Sequence, residues 1–456
     1  MKSTQVLLVP QLFCLVVLPL LSGCVANRPY RLEGVAGGIY EKKFPGQQPP
    51  SREYEAMPGH NYRLSFVEFD EKGDFWDRGQ LAIAASRIKH SPKPVLLVVF
   101  IHGWHHNAAD RPENTKNPGD VQTFKCLLSQ LAVSQSTRGL DVHGVYLGWR
   151  GRLVQGPLDY VTFLGRKGAA TRIAGTPVTE TIFELIRQAR RRAPGASKTV
   201  VIGHSFGALV LEKAMAQAVA GSVLAQDAQA GGGTFSAPAD LVLLVNSAAE
   251  SIYAKELTDM FRVVGHRGHI NPDRPLLVSL TSETDTATSG WFPAGTFFPN
   301  LFARRQYNWE KKRGPASDNV SQHEYLTTTP GHNQRLFTHR VVRLGTDPIA
   351  TTSTPIDIRQ PGACVRENPA FEENLQNPHG MMFATSIRET PEQLVWWRIE
   401  PLPTDKRTPY WIMHVPREII HGHSPIFTPE GRAMMAAIFR ITNPKSQPGA
   451  RQMRLE

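Results

Sequence analysis

The sequence predicts an α/β fold in which a mostly parallel, doubly wound sheet is covered by helices on both faces. Several short runs are apolar at every position, such as Val95 to Ile101 and Leu241 to Val245, which is typical of strands buried on both faces. Helical segments separate these runs, and strands that alternate with helices favour a parallel sheet. With 456 residues, of which 41% are hydrophobic and 20% charged, the chain is long enough to bury a large core.

The N-terminus has the pattern of a secretion signal. Lys2 precedes an apolar stretch from Val6 to Leu21, which is short, interrupted by Pro10 and Pro19, and closed by small residues. These features favour a removable signal over a transmembrane helix.

The signal ends in Leu21-Ser22-Gly23-Cys24, which closely resembles the lipobox of bacterial lipoproteins. The resemblance implies that residues 1–23 are a signal peptide and that Cys24 becomes the lipidated first residue, held in a membrane by its buried methylenes. Because Val25 follows rather than Asp, similarity to Gram-negative lipoproteins implies the outer membrane, facing the periplasm, with the inner membrane as the alternative. An ordinary signal peptide with a coincidental cysteine is the competing interpretation.

Cysteine usage and charge fit an exported protein without proving export. After removal of Cys14 and lipidation of Cys24, only Cys126 and Cys364 remain, and they form either a disulfide or two buried free thiols. The net charge is +11, but the basic residues are scattered, and the densest group, at 187–192, lies at a predicted helix end where cations favour the dipole. We recognise no nucleic-acid-binding module and expect no nucleic-acid partner; protein partners stay unknown.

The first predicted strand of the folded domain follows a spacer. Residues 24–61 are rich in Gly, Pro and Gln and are interpreted as a tether from the membrane. The segment Tyr62 to Phe69 alternates with period two before the turn at 71–74, which predicts a hairpin strand at the edge of the sheet.

Helices and strands then alternate as far as residue 280. The predicted elements are strand Val95 to Ile101, a helix near 121–131, strand 143–149, a helix that begins at Thr176-Pro177, strand Lys198 to Ile202, a helix after Ser205, and strands Leu241 to Val245 and Leu276 to Leu280. Thr176 and Pro177 suit the N-cap and first turn of a helix.

The regular pattern is interrupted between residues 287 and 403, which are rich in Thr, Asn, Arg and Pro. We interpret 287–403 as an insertion and possible lid, so that 62–286 and 404–456 form the main domain. The pattern resumes with strand Tyr410 to Val415 and a last helix from Pro429 to Phe439.

Ser205 lies in the stretch Gly203-His204-Ser205-Phe206-Gly207, between a predicted buried strand and a predicted helix. A serine hydroxyl becomes a useful nucleophile when an imidazole takes its proton and a third group orients that imidazole. A sharp turn from strand to helix exposes the hydroxyl and directs the next backbone N–H at the reacting carbonyl. The flanking glycines remove side chains that would collide in so tight a turn.

This stretch resembles the nucleophile elbow of the α/β-hydrolase superfamily, with His204 in the form common in lipases and esterases. The loop His102-Gly103-Trp104 after a buried strand resembles the family's oxyanion loop. The resemblance implies an α/β-hydrolase fold and oxyanion donors at the N–H groups of Trp104 and Phe206. His102, His105 and His106 could instead bind a metal, but their spacing lacks a familiar ligand signature, so we expect no metal and no cofactor.

The family's chain order places an acid and then a histidine after the serine. Asp285 follows strand Leu276 to Leu280 and matches the acid position best; Glu283 is a close rival and Glu250 a more distant one.

Two histidines follow the last predicted strand, His421 and His423. We prefer His423 as the base because the extra residues and Gly422 give the loop reach, and His421 is the alternative. His414, inside the strand, is interpreted as a core or edge residue.

The large insertion between acid and histidine departs from the usual family pattern. Its histidines, at 323, 332, 339 and 379, are expected at the surface or in a lid, and a role of His339 or His379 as the base would overturn the assignment.

The sequence thus predicts an envelope-anchored serine esterase or lipase that acts on an acyl ester or lipid. An amidase, thioesterase or acyltransferase of the same superfamily is an alternative. A non-catalytic binding protein on a hydrolase scaffold is another.

Overall fold

The computed structural model describes most of the chain. The described residues are 27–31, 52–55, 61–109, 119–136, 139–154, 162–227, 237–265, 271–293, 296, 322–348, 370–371, 374, 381–386, 393–403 and 408–443. The predictions for Cys24, Cys364 and His379 lie outside these residues.

Eight strands form one central sheet. They are β1 (Arg52–Glu55), β2 (Tyr62–Glu68), β3 (Val95–Ile101), β4 (Asp141–Gly148), β5 (Lys198–His204), β6 (Leu241–Val245), β7 (Leu277–Ser282) and, last in the chain, β11 (Tyr410–Val415). Their order is β1-β2-β4-β3-β5-β6-β7-β11. Every neighbouring pair is parallel except β1 with β2, so the prediction of an α/β fold with a mostly parallel sheet is confirmed.

Helices cover both faces of this sheet. They are α1 (Arg78–Lys89), α2 (Asp120–Ser136), α3 (Phe163–Ile173), α4 (Thr176–Arg192), α5 (Phe206–Asp227), α6 (Ser251–Gly265), α7 (Gln322–Thr327) and α8 (Pro429–Thr442). Helix α4 begins at Thr176, as the sequence predicts, but Gly175 rather than Thr176 is its N-cap.

Strand β3 contacts the cores on both faces of the sheet. Its odd-numbered side chains, such as Val95 and Leu97, pack with α1 and with α3 to α6. Its even-numbered side chains, such as Leu96 and Val98, pack with α2 and α8. Successive side chains of a strand point to opposite faces, so a strand covered on both sides is apolar at every position.

Two parts of the segment predicted to be a tether belong to the folded body. Strand β1 pairs with β2 on its outer side, so the prediction that the strand beginning at Tyr62 forms the sheet edge is wrong. The backbone N–H groups of Tyr30 and Arg31 donate to the carboxylate of Glu68 at 2.8 and 2.7 Å. Arg31 is fully buried. The body therefore includes residues well before the predicted start at residue 62.

Part of the predicted insertion forms a second, antiparallel sheet. Its strands are β8 (His339–Pro348), β9 (Met382–Ser386) and β10 (Gln393–Pro401), in the order β8-β10-β9. The N–H of Thr338 donates to the carbonyl of Ile412 at 3.0 Å, and the N–H of Ile412 donates to Thr338 Oγ1 at 2.8 Å. This part of the chain therefore covers the outer edge of β11, where strand groups would otherwise lack partners.

His339 does not lie at the surface, contrary to the prediction for histidines of the insertion. It is buried, and its ring stacks on that of Trp411 with 4.1 Å between centroids. It therefore packs beside β11 as a core residue.

Two further features of the described residues are a long apolar helix and a disulfide-bonded cysteine. Among the described residues, one helix segment, Phe206–Ala225 in α5, is long and apolar enough to cross a membrane. It packs against β5 and α6, as a core helix does, so we assign it to the core. Cys126 is disulfide-bonded, and its partner lies outside the described residues.

Candidate active site

The three residues predicted as nucleophile, base and acid lie together where β5, β7 and β11 end. His423 Nε2 is 2.7 Å from Ser205 Oγ. His423 Nδ1 is 2.9 and 3.0 Å from the two carboxylate oxygens of Asp285. A continuous hydrogen-bonded chain thus runs from the hydroxyl through the imidazole to the carboxylate.

The backbone at Ser205 makes the sharp turn that the sequence predicts. Ser205 has φ +56°, which is in the left-handed region that non-glycine residues rarely adopt. A Cβ at Gly203 would lie 2.7 Å from Ala208 Cα, and one at Gly207 would lie 2.1 Å from the carbonyl oxygen of Ile101. Both glycines are therefore required by close backbone approach.

The predicted oxyanion loop runs directly beside Ser205. A Cβ at Gly103 would lie 2.6 Å from Ser205 Cβ, so glycine at this position lets the two segments touch. The loop is held by Gly151, whose carbonyl accepts from the N–H of His105 at 3.2 Å and whose N–H donates to the carbonyl of His106 at 3.0 Å. The backbone that carries Trp104 is therefore fixed next to the serine.

Phe206 is the first residue of α5, so its N–H has no acceptor within the helix. The rings of Trp104 and Phe163 pack against that of Phe206, with centroids 6.3 and 5.2 Å away. The backbones of both predicted oxyanion donors therefore adjoin Ser205, and their aromatic side chains pack together.

Asp285 is held as a buried, charged carboxylate. Its side chain is fully buried and accepts from the N–H groups of Ala287 and Thr288 at 3.0 and 3.2 Å and from Thr288 Oγ1 at 2.5 Å. Burial alone would raise the pKa of Asp285, but the bond and charge of His423 and the bonds from Thr288 outweigh it, so the pKa is lowered.

His332 continues this network behind the acid. Its Nε2 lies 2.9 Å from Thr288 Oγ1. Because the one hydroxyl proton of Thr288 goes to Asp285, His332 Nε2 must carry a proton and donate it to Thr288. Burial, aided by the charge of His414, lowers the pKa of His332 to about 4. His332 was predicted at the surface or in a lid; it is half-buried and lies behind the acid.

The loop that carries His423 is fastened to neighbouring strand ends. Asn246 Nδ2 donates to the carbonyls of Gly422 and His423 at 3.1 and 2.9 Å, while Asn246 Oδ1 accepts from the N–H of Ser282 at 2.9 Å. His204 Nε2 donates to the same His423 carbonyl at 2.8 Å. These bonds set the position from which the imidazole reaches Ser205.

His204 is suited to this role because it stays neutral. Burial, followed by the charge of His423, lowers the pKa of His204 to about 3. A neutral ring with its proton on Nε2 is a steady donor to the carbonyl and places no positive charge beside His423.

The rival residues occupy other places. Glu283 and His421 are exposed to solvent, and Glu250 pairs with Lys167 Nζ at 2.7 Å. His414 lies in β11 with its ring 4.7 Å from that of Phe337, in keeping with a strand residue packed at the edge. His423 Nδ1 donates to Asp285 rather than to either glutamate.

Asn246, Thr288 and His332 were not predicted as parts of the site. Asn246 directly follows the apolar run of β6, and a polar residue at the end of a buried strand was a usable signal. His332 had no such signal, because only tertiary packing brings the segment around residue 330 to Asp285.

His102, one of the three histidines of the alternative metal site, uses both ring nitrogens in hydrogen bonds to the backbone. His102 Nδ1 donates to the carbonyl of Gly103 at 2.9 Å, and its Nε2 accepts from the N–H of Trp149 at 3.0 Å. Among the described residues, no group of three or more His, Cys, Asp or Glu side chains is placed to hold a metal ion.

Comparison of the sequence with protein-family models and with curated proteins found no match. The geometry of the site is therefore the basis for assigning a function.

Proposed function

We propose that this protein is a serine hydrolase of the α/β-hydrolase type that cleaves carboxylic esters through an acyl-enzyme. The observation that carries the proposal is the 2.7 Å contact of Ser205 Oγ with His423 Nε2, together with the 2.9 Å contact of His423 Nδ1 with Asp285. The serine also sits on a strained turn at the end of a central strand, as the nucleophile of such enzymes does.

The first half of the reaction forms the acyl-enzyme. His423 Nε2 takes the proton of Ser205 as Oγ attacks the ester carbonyl carbon. Asp285 keeps the other imidazole proton on Nδ1 and stabilises the imidazolium that forms. His423 then gives its proton to the leaving alcohol as the ester bond breaks.

The second half returns the free enzyme. A water molecule attacks the acyl carbon while His423 Nε2 takes its proton, and the carboxylic acid leaves as Ser205 regains its hydrogen. In both halves the N–H groups of Trp104 and Phe206 stabilise the negative oxygen, and loss of one such donor typically costs about 10²- to 10³-fold in turnover.

We also propose that the protein is exported and held in the cell envelope by lipidated Cys24. The disulfide at Cys126 supports an oxidising compartment, since disulfides persist outside the cytosol. Val25, which follows Cys24 where Asp could stand, favours the outer membrane, facing the periplasm, with the inner membrane as the alternative.

A fluorophosphonate probe tests the catalytic proposal. We expect rapid labelling of the wild type at Ser205, with none in Ser205→Ala. Ser222→Ala is the matched control, because Ser222 lies on the same helix and bonds to the carbonyl of Ala218; it should label normally. A folded wild type that neither labels nor hydrolyses p-nitrophenyl esters would favour the non-catalytic binding protein.

A further inference from the structure

The N-terminal segment is docked at the edge of the sheet formed by the carboxyl ends of the parallel strands, which is also the edge where the candidate active site lies. Glu68, which binds Tyr30 and Arg31, is the last residue of β2 and pairs in register with Gly148 at the end of β4. Parallel strands end at a common edge, so Glu68 lies at the edge where β5 ends beside Ser205. Two strands, β4 and β3, separate β2 from β5, a lateral distance of about 14 Å.

Several contacts fix this docked segment. Arg31 Nε donates to the carbonyl of Ala108 at 2.8 Å, in the loop that follows the oxyanion segment. The guanidinium of Arg31 lies 3.7 Å from the centre of the Phe66 ring, and Gln80 Nε2 donates to the carbonyl of Arg31 at 2.9 Å. Charge-assisted bonds of this kind are among the stronger ones in proteins.

The remaining chain to the proposed anchor is short. Even fully extended, the stretch from Cys24 to Tyr30 covers only about 21 Å. Strand β2 alone is about 23 Å long. The backbone of Cys24 therefore cannot reach the opposite ends of the strands.

Two exposed leucines lie near opposite ends of the parallel strands and can report which end faces a membrane. Leu164 is 49% exposed and follows Phe163, which packs against Phe206 beside the site. Leu224 is 55% exposed and lies near the far end of α5, about 27 Å along the helix from Phe206.

We propose that the lipidated protein is held with the active-site edge of its sheet toward the bilayer, and that its substrates are acyl esters of membrane lipids. This inference depends on the proposed function and on lipidation of Cys24. In the reaction, the acyl group passes from the lipid oxygen to Ser205 Oγ and then to water, which releases a fatty acid and the deacylated lipid.

Orientation can be measured without any reaction. Leu164→Cys and Leu224→Cys, each in the full lipidated chain, would carry the same fluorophore in vesicles of phosphatidylethanolamine and phosphatidylglycerol with a nitroxide on some headgroups. We expect the label at 164 to be quenched several-fold more than the label at 224. Equal or reversed quenching, or a mature chain whose mass shows no acyl groups on Cys24, overturns the proposal.

Substrate class is tested by lengthening the connection to the anchor. Insertion of about 20 Gly and Ser residues between Ala26 and Asn27 frees the body to turn away from the bilayer. We expect fatty-acid release from the vesicles to fall several-fold, with hydrolysis of p-nitrophenyl acetate unchanged. The same linker at the C-terminus is the control and should leave both rates unchanged.

The outcomes separate the two proposals. Undiminished vesicle hydrolysis after insertion overturns the orientation, and a native protein that cleaves p-nitrophenyl acetate but not vesicle lipid overturns the substrate class. Failure to cleave either ester overturns the proposed function, while the quenching experiment still decides the orientation.

Discussion

The side chain of Asn246 donates from Nδ2 to the carbonyl oxygen of His423 at 2.9 Å. This bond joins the end of β6 to the loop that carries the proposed base. Asn246 is fully buried and has φ +48°, a strained conformation that the surrounding contacts must maintain. We infer that Asn246 is a positioning residue that acts through His423.

Replacement of Asn246 by alanine should therefore impair the reaction more than substrate binding. Without the amide, the His423 loop loses its bonds to β6, and a small misplacement of a catalytic group can lower turnover by up to about 10²-fold. We expect kcat to fall with little change in KM. Asn443→Ala is the control, because Asn443 also donates to a backbone carbonyl, at Phe439, but at the end of α8; it should leave kcat unchanged. An unchanged kcat in a folded Asn246→Ala variant would remove the positioning role.

Thr288 should support the charged form of Asp285. Thr288→Val removes the hydroxyl donor but keeps the shape, whereas Thr288→Ser keeps the hydroxyl. Because the bonds from Thr288 lower the pKa of Asp285, they stabilise the folded protein above the unfolded pKa of an aspartate, about 3.9, and this stabilisation is lost as the pH falls through the lower folded pKa. A hydrogen bond to a charged group contributes about 1.5 to 3 kcal/mol.

The measurement is the free energy of unfolding across acidic and neutral pH. Thr288→Val should be less stable than the wild type at neutral pH, and the difference should shrink at low pH. Thr288→Ser, which keeps the hydroxyl, should retain the stability and the kcat of the wild type. A deficit in Thr288→Val that is independent of pH would point to packing rather than to support of the carboxylate.

Sequence patterns predicted the parts of the fold and site that are encoded locally. The apolar run at 95–101 marks a strand buried on both faces, and the glycines around Ser205 mark a tight turn. Asp285 and His423 could be chosen because each follows a predicted strand, in the chain order of the family that the sequence resembles. Docking of Arg31 on Glu68 and of His332 behind Thr288 has no local periodicity, so only the structure reveals it.

The two glycines at 207 and 221 provide a matched pair on α5. A Cβ at Gly207 would lie 2.1 Å from the carbonyl oxygen of Ile101, whereas one at Gly221 meets nothing within 4 Å. Gly221→Ala should therefore stabilise the protein by up to about 1 kcal/mol through helix propensity. Gly207→Ala should destabilise it by about 1 to 3 kcal/mol or more and reduce labelling of Ser205. Thermal unfolding checks both, and a Gly207→Ala protein as stable and reactive as the wild type would contradict the close approach.

Glu212, which lies away from the candidate active site, should make the free energy of unfolding depend on pH. The carboxyl group is buried and accepts from Tyr410 OH at 3.1 Å. Burial raises the pKa of Glu212 to about 8, so the folded state favours the protonated form. Its contribution to stability is full below the unfolded pKa of a glutamate, about 4.3, and is lost as the pH rises through about 8.

Glu212→Gln should therefore flatten the decline in stability with rising pH, because an amide keeps the shape but cannot ionise. We expect the free energy of unfolding of the variant to exceed that of the wild type at alkaline pH and to approach it, or fall below it, at acidic pH. The exposed Glu256 supplies the control, since Glu256→Gln should follow the wild-type curve. Denaturant titrations over a range of pH measure the difference, and parallel curves for wild type and Glu212→Gln would show that this carboxyl group binds the same number of protons in the folded and unfolded states, which would contradict a raised pKa in the folded state.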